Sequence, residues 1–188
     1  AEPLTVPAVT GVPPRMVEDA IVLEYATPES LEILRRHAHE LAAVLVEPVQ
    51  SRRPDLVPVE YLRELRQLTA RAGVPLVFDE IITGFRMHPG GAQAMFDVRA
   101  DLVTYGKVVG GGLPIGVVGG RAEPMDAFER SSGRPLDTGT FCKHPLAMAA
   151  AHATLEAIIT AGPALQERLG GQTSTLVKRL DAELVRLR

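Results

Sequence analysis

The stretch VPLVFDE, residues 74–80, decides the fold. Its first five residues are apolar without interruption, and it then breaks into acid at Asp79 and Glu80. A short, continuously apolar run of this kind reads as a β-strand covered on both faces. Just upstream, PVEYLRELRQLTARAG (58–73) carries Leu62, Leu65, Leu68 and Ala72 at helical spacing, with Gly73 suited to the C-terminal cap. Further upstream, PESLEILRRHAHELA (28–42) repeats the helical stripe through Leu31, Leu34, Ala38, Leu41 and Ala42, and AVLVEP (43–48) is a second apolar run, ending at Glu47. Downstream, DLVTYG (101–106) and IGVVGG (115–120) are two more valine-rich runs. PLAMAAAHATLEAIITA (145–161) reads as a small-residue helix, and the leucine pattern from Leu165 to Leu187 as a further helix interrupted at Gly170–Gly171. Helices alternating with apolar runs predict an α/β fold, a mostly parallel sheet flanked by helices.

The bulk composition restricts the class of protein. A length of 188 residues supports one sizeable core. A net charge of -3 gives no electrostatic reason to expect nucleic acid or an anionic membrane as partner. The single cysteine, Cys142, excludes an internal disulfide framework, and no apolar run is long enough to span a bilayer. The expectation is a cytoplasmic protein.

In parallel sheets, ligands sit beyond the carboxyl ends of the strands. Glu47, Asp79, Glu80 and Lys107 all stand at or just after such ends. Taken alone, Asp79 reads as a helix N-cap or a structural ion pair. Lys107, 28 residues later, precedes three glycines and is a candidate Schiff-base lysine. Pyridoxal phosphate needs both groups, an amine for its aldehyde and an anion beside its ring nitrogen. Rival readings of the glycines fail on order. A phosphate-binding P-loop places its lysine after the glycines, and GGGLPIG does not keep the dinucleotide-binding spacing. A metal site is not expected. His37 and His39 face different directions on a helix, and His88, His144 and His152 lack partners at ligand spacing.

Four segments carry a family resemblance: EPVQ (47–50), LVFDEIITGFR (76–86), GGAQAMFDVRADLVTYGKVVGGGLPIGVVGG (90–120) and GTFCKHPLAMAA (139–150). Together they resemble the class III, fold-type I pyridoxal phosphate-dependent aminotransferases, in particular the glutamate-1-semialdehyde aminotransferase-like group. Within that group, AAVLVEPVQSRRPDL and GTFCKHPLAM look most like aminotransferase domains embedded in polyketide and nonribosomal peptide synthases. The resemblance implies that Lys107 binds the cofactor covalently and relays protons, and that Asp79 pairs with the pyridine nitrogen. It also implies that Ile81 presses on one ring face, where relatives usually carry valine, and that Glu47 stands behind Asp79. Gly139 and Thr140 would reach the cofactor phosphate of the other subunit, making the assembly a homodimer with shared sites. Ile82 stands where some relatives carry a glutamine. Three departures from the family pattern stand out: Lys143-His144-Pro145 replaces the usual Asn-Pro pairing, residues 129–137 look shorter than in the synthase-embedded domains, and the chain is much shorter than a family subunit.

The implied organisation is an extended segment over 1–27, part of the cofactor-binding large domain over 28–162, and a helix over 163–188 leading toward a C-terminal small domain. The chain is expected to be a part of a family subunit, inactive alone. The implied reaction is transamination from an amino acid donor to a carbonyl acceptor, a β-ketoacyl thioester on an acyl carrier protein by the synthase resemblance. The alternatives are a glutamate-1-semialdehyde 2,1-aminomutase and a noncatalytic dimerisation module of the same fold.

Overall fold

The computed structural model describes residues 5–126 and 140–187. The chain forms two compact units, residues 1–40 and 41–188. In the first, helix α1 (Pro28–His37) starts at Thr27, whose hydroxyl accepts the Ser30 amide at 3.2 Å while Pro28 occupies the first turn. Ser30, Leu31 and Leu34 are its buried residues. The stripe expected to continue through Leu41 and Ala42 stops short, because the chain turns at His37, whose carbonyl accepts the Glu40 amide.

The second unit is built on a four-stranded sheet in the order β1 (Val44–Val46), β2 (Leu76–Asp79), β3 (Leu102–Tyr105) and β4 (Val117–Gly120). The first two pairings are parallel and β3–β4 is antiparallel, so the sheet is mixed with a parallel majority. Leu76 and Phe78 on β2 are fully buried and form the centre of the core. Burial of each side chain contributes about 2 kcal/mol. Helix α2 (Val59–Ala72) presents the buried Leu62, Leu65 and Thr69, and ends at Gly73 in the left-handed conformation, as its sequence predicts. Helix α3 (Gly91–Phe96) and α4 (Ala122–Met125) are short. Helix α5 (Pro145–Ala161) packs on the turn that follows β3. Helix α6 (Ala164–Arg186) runs unbroken through Gly170 and Gly171, which the sequence reading takes as an interruption. Two glycines cost such a helix about 1 kcal/mol each, which weakens it without stopping the hydrogen-bond ladder. Among the described residues, no helix is long and apolar enough to cross a membrane.

Two carboxylates lock the sheet at its opposite ends. At the amino ends of β2 and β3, Asp101 accepts the Leu76 amide (2.9 Å) and Arg66 (2.6 Å) on Oδ2, and Arg121 (3.0 Å) on Oδ1. It thereby ties together α2, β2 and the end of β4. Burial alone would push its carboxyl pKa up. The Leu76 amide and the two guanidinium groups outweigh burial and hold it below the ordinary value. At the carboxyl end of β2, Glu80 is fully buried. Its Oε2 accepts the Ala92 amide at 2.6 Å and the Thr83 hydroxyl at 2.9 Å, and its Oε1 accepts the Gln93 amide at 3.2 Å. These donors stand in for water around a buried charge, and they satisfy amides that α3 leaves open at its start. The approach is close enough to demand glycine at 91, where φ is +69° and a Cβ would lie 2.3 Å from Oε2.

Gly91→Ala is expected to destabilise the protein by more than ~1 kcal/mol, read as a lower denaturant midpoint. Asp101→Asn is expected to cost about 1–3 kcal/mol at neutral pH. The stability from Asp101 is present above its unfolded pKa and lost as pH falls through its lowered folded value. Denaturation curves between neutrality and about pH 3 should therefore show a shallower acid loss in the variant than in the wild type.

Candidate functional site

Parallel pairing brings the expected residues to one end of the sheet. Phe78 and Asp79 on β2 are in register with Val103 and Thr104 on β3, so Lys107 stands three residues beyond the partner of Asp79. Asp79 is half-buried, and its Oδ1 accepts the Ile81 amide at 3.0 Å and the Thr104 hydroxyl at 3.3 Å. Its Oδ2 takes no hydrogen bond from a described residue. One carboxylate oxygen is therefore tied to its surroundings, and the other remains open as an acceptor.

Because side chains alternate along a strand and just beyond it, Asp79 and Glu80 turn to opposite sides. Glu80 turns to the interior, where it anchors α3, and Asp79 to the other side, where it stays half-buried.

Lys107 is exposed and opens a single 3-10 turn, Lys107–Gly110. Its φ is +46°, a left-handed conformation that costs a side-chain-bearing residue about 1 kcal/mol. The preceding residue, Gly106, is fully extended, with φ -167°. Ile81 lies alongside, its Cγ2 and Cγ1 3.4 and 3.7 Å from the place where a side chain on Gly106 would begin. An apolar branched residue is thus set beside the backbone that carries the lysine. Ile82 contributes its carbonyl, which accepts Arg86 Nε at 3.0 Å.

Glu47 follows Val46, which is in register with Phe78, so Glu47 and Asp79 come next along neighbouring strands. The hydrogen bond that Glu47 makes runs instead to the Ser51 amide, at 2.9 Å on Oε2. Thr140 is exposed and makes no hydrogen bond to a described residue. Gly139 and residues 129–137 lie outside the described residues. Among the described residues, no three His, Cys, Asp or Glu side chains gather as a metal site would.

Residues that the sequence reading passed over complete this end of the sheet. Thr104 orients Asp79, and nothing in a valine-rich run marks which residue will stand opposite. Tyr105 packs on Phe85 with ring centroids 5.0 Å apart, tilted by 46°. Gln93 Nε2 reaches the Tyr105 hydroxyl at 3.5 Å. Burial raises the Tyr105 phenol pKa, the nearby Glu80 charge adds to that rise, and the Gln93 bond opposes it.

An exposed amine, a half-tied carboxylate and an apolar flank form a donor set that suits an aldehyde-bearing pyridine cofactor. Comparison with known proteins agrees. The sequence pattern of the class-III aminotransferases matches residues 3–187. A glutamate-1-semialdehyde 2,1-aminomutase from Pyrobaculum aerophilum is 41% identical over 187 residues, which span 96% of this chain and 44% of that protein. The chain therefore spans less than half the length of this curated relative. An omega-transaminase from Sphaerobacter thermophilus superposes with a TM-score of 0.78 at 34% identity, over 87% of this chain and 37% of that one. A transaminase solved with PLP bound superposes with a TM-score of 0.73 at 38% identity, over 80% and 36% of the two chains. The chain belongs to the class-III aminotransferases, a pyridoxal phosphate-dependent family.

Proposed function

We propose that the chain carries the cofactor-binding part of an enzyme that moves an amino group from an amino acid to a carbonyl acceptor. The observation that carries this reading is the register of Asp79 with Thr104, three residues ahead of Lys107. Lys107 supplies the amine that holds the cofactor covalently, and its exposed position leaves it free to take a proton from the substrate carbon and return it. Asp79 holds a positive charge at the ring nitrogen through its untied oxygen, while Ile81 lines one ring face. Glu47 belongs behind Asp79. When bound, pyridoxal phosphate supplies the electron sink that lets the amino-bearing carbon lose its proton. The donor leaves as a 2-oxo acid and the acceptor leaves as an amine. Gly139 and Thr140 reach toward the phosphate held by a second copy, a backbone N–H and a hydroxyl being suitable donors. A homodimer follows from that arrangement.

For the acceptor, AAVLVEPVQSRRPDL and GTFCKHPLAM support a β-ketoacyl thioester on an acyl carrier protein, with a β-aminoacyl chain as product. The name of the curated relative favours a second reading, transfer of the amine within glutamate 1-semialdehyde. The two separate on demand for a second substrate. A transaminase turns over only with both donor and acceptor, whereas an aminomutase converts glutamate 1-semialdehyde alone.

In the complete protein, added pyridoxal phosphate is expected to give a visible absorption band that Lys107→Ala abolishes. A band of unchanged position and strength in the variant would remove Lys107 from the site. Asp79→Asn is expected to keep the covalent bond but slow turnover about 100-fold or more, because the charge opposite the ring nitrogen is gone. Single-turnover absorbance kinetics would measure the loss.

A further inference from the structure

A buried amide in α6 has no role in the reading above. Gln166, 7% exposed, donates from Nε2 to the carbonyl of Phe85 at 3.0 Å, across 81 residues of sequence. Its Oε1 is buried and, among the described residues, has no hydrogen-bond partner. An orphaned buried acceptor costs about 1–3 kcal/mol, so packing alone would favour an apolar residue here.

The bond ends on a strained turn. Phe85 has φ +60°, which a phenylalanine adopts only when its surroundings impose it. Gly84 beside it has no room for a side chain, since a Cβ would lie 2.5 Å from Tyr105 Cδ1 and 2.7 Å from the Glu80 carbonyl. The Phe85 ring rests on the Tyr105 ring at 5.0 Å. Tyr105 ends β3, and Gly106 and the left-handed Lys107 follow directly. The contacts therefore run without a gap from the first turn of α6 to the backbone of the lysine.

We propose that Gln166 is a positioning residue for Lys107. By holding the Phe85 carbonyl it seats the Gly84–Phe85 turn against Tyr105, and Tyr105 in turn fixes the backbone from which the lysine projects. The orphaned Oε1 is the cost of keeping an amide donor at that point. This inference rests on Lys107 being the cofactor's lysine, and it gives the first turn of α6 an influence on that lysine.

The test uses Gln166→Met, which removes the amide, and Gln166→Asn, which keeps the amide one methylene short of Phe85. Both are made in the complete protein, and each is read only where its melting transition is intact. The first readout is spectrophotometric titration of the Tyr105 phenol without cofactor, obtained by subtracting a Tyr105→Phe background. The second is the rate at which the absorption band of lysine-bound pyridoxal phosphate forms.

Loosening the turn is expected to expose Tyr105, so that its phenol midpoint falls by roughly 0.5 or more. Covalent capture at Lys107 is expected to slow at least ~10-fold, as displacement of a reacting group by a fraction of an ångström to an ångström does. Asn should give smaller changes of the same sign. If either folded variant keeps both the wild-type midpoint and the wild-type rate, the proposal is wrong. It is equally wrong if the phenol midpoint moves while the rate of capture does not. A wild type that forms no band would sink the assignment of Lys107 instead, and the phenol titration would still show whether Gln166 controls the turn.

Discussion

The buried carboxylate of Glu80 is the constraint on which the site depends. A charge with no access to water has to be surrounded by donors, and the start of α3 and the Thr83 hydroxyl provide them. That requirement fixes where α3 begins and forces a glycine at 91. Because Asp79 and Glu80 are consecutive, seating Glu80 inward also turns Asp79 outward. One carboxylate organises the interior while its neighbour stays half-exposed, with one oxygen open. The Glu80 charge then reaches Tyr105, and through Tyr105 the segment that bears Lys107.

The two ends of the sheet divide the work. At the amino end, Asp101 is fully engaged with an amide and two guanidinium groups and serves only to hold α2, β2 and β4 together. At the carboxyl end, Asp79 commits one oxygen and leaves the other open. The same residue type therefore plays opposite parts, and the number of donors pointed at each carboxylate distinguishes them. Phe85 and Lys107, two of the five described non-glycine residues at positive φ, both lie at the carboxyl end.

Much of this was legible in the sequence because strands covered on both faces advertise themselves as unbroken apolar runs. VPLVFDE and DLVTYG announced β2 and β3, and the acids that close VPLVFDE announced the carboxyl end of β2. Gly73 marked the end of α2 for an equally local reason, the need for a left-handed cap. Register was not legible. Nothing within DLVTYG says that Thr104, rather than Val103 or Tyr105, stands opposite Asp79, since that follows from the meeting of two distant segments. The antiparallel direction of β4 was hidden for the same reason, an apolar run having no polarity of its own. Gly170–Gly171 misled in the other direction. Glycine lowers helix propensity, but a 23-residue helix has enough further hydrogen bonds to carry two of them. Gln166 gave no signal, because a glutamine in a leucine-patterned helix reads as surface.

The left-handed backbone at Lys107 sets stability and chemistry against each other at a single position. Glycine adopts that conformation at no steric cost, so a search for thermostable variants would rank replacement of this lysine among its gains. If Lys107 holds the cofactor as proposed, the amine and a relaxed backbone are alternatives at this one position.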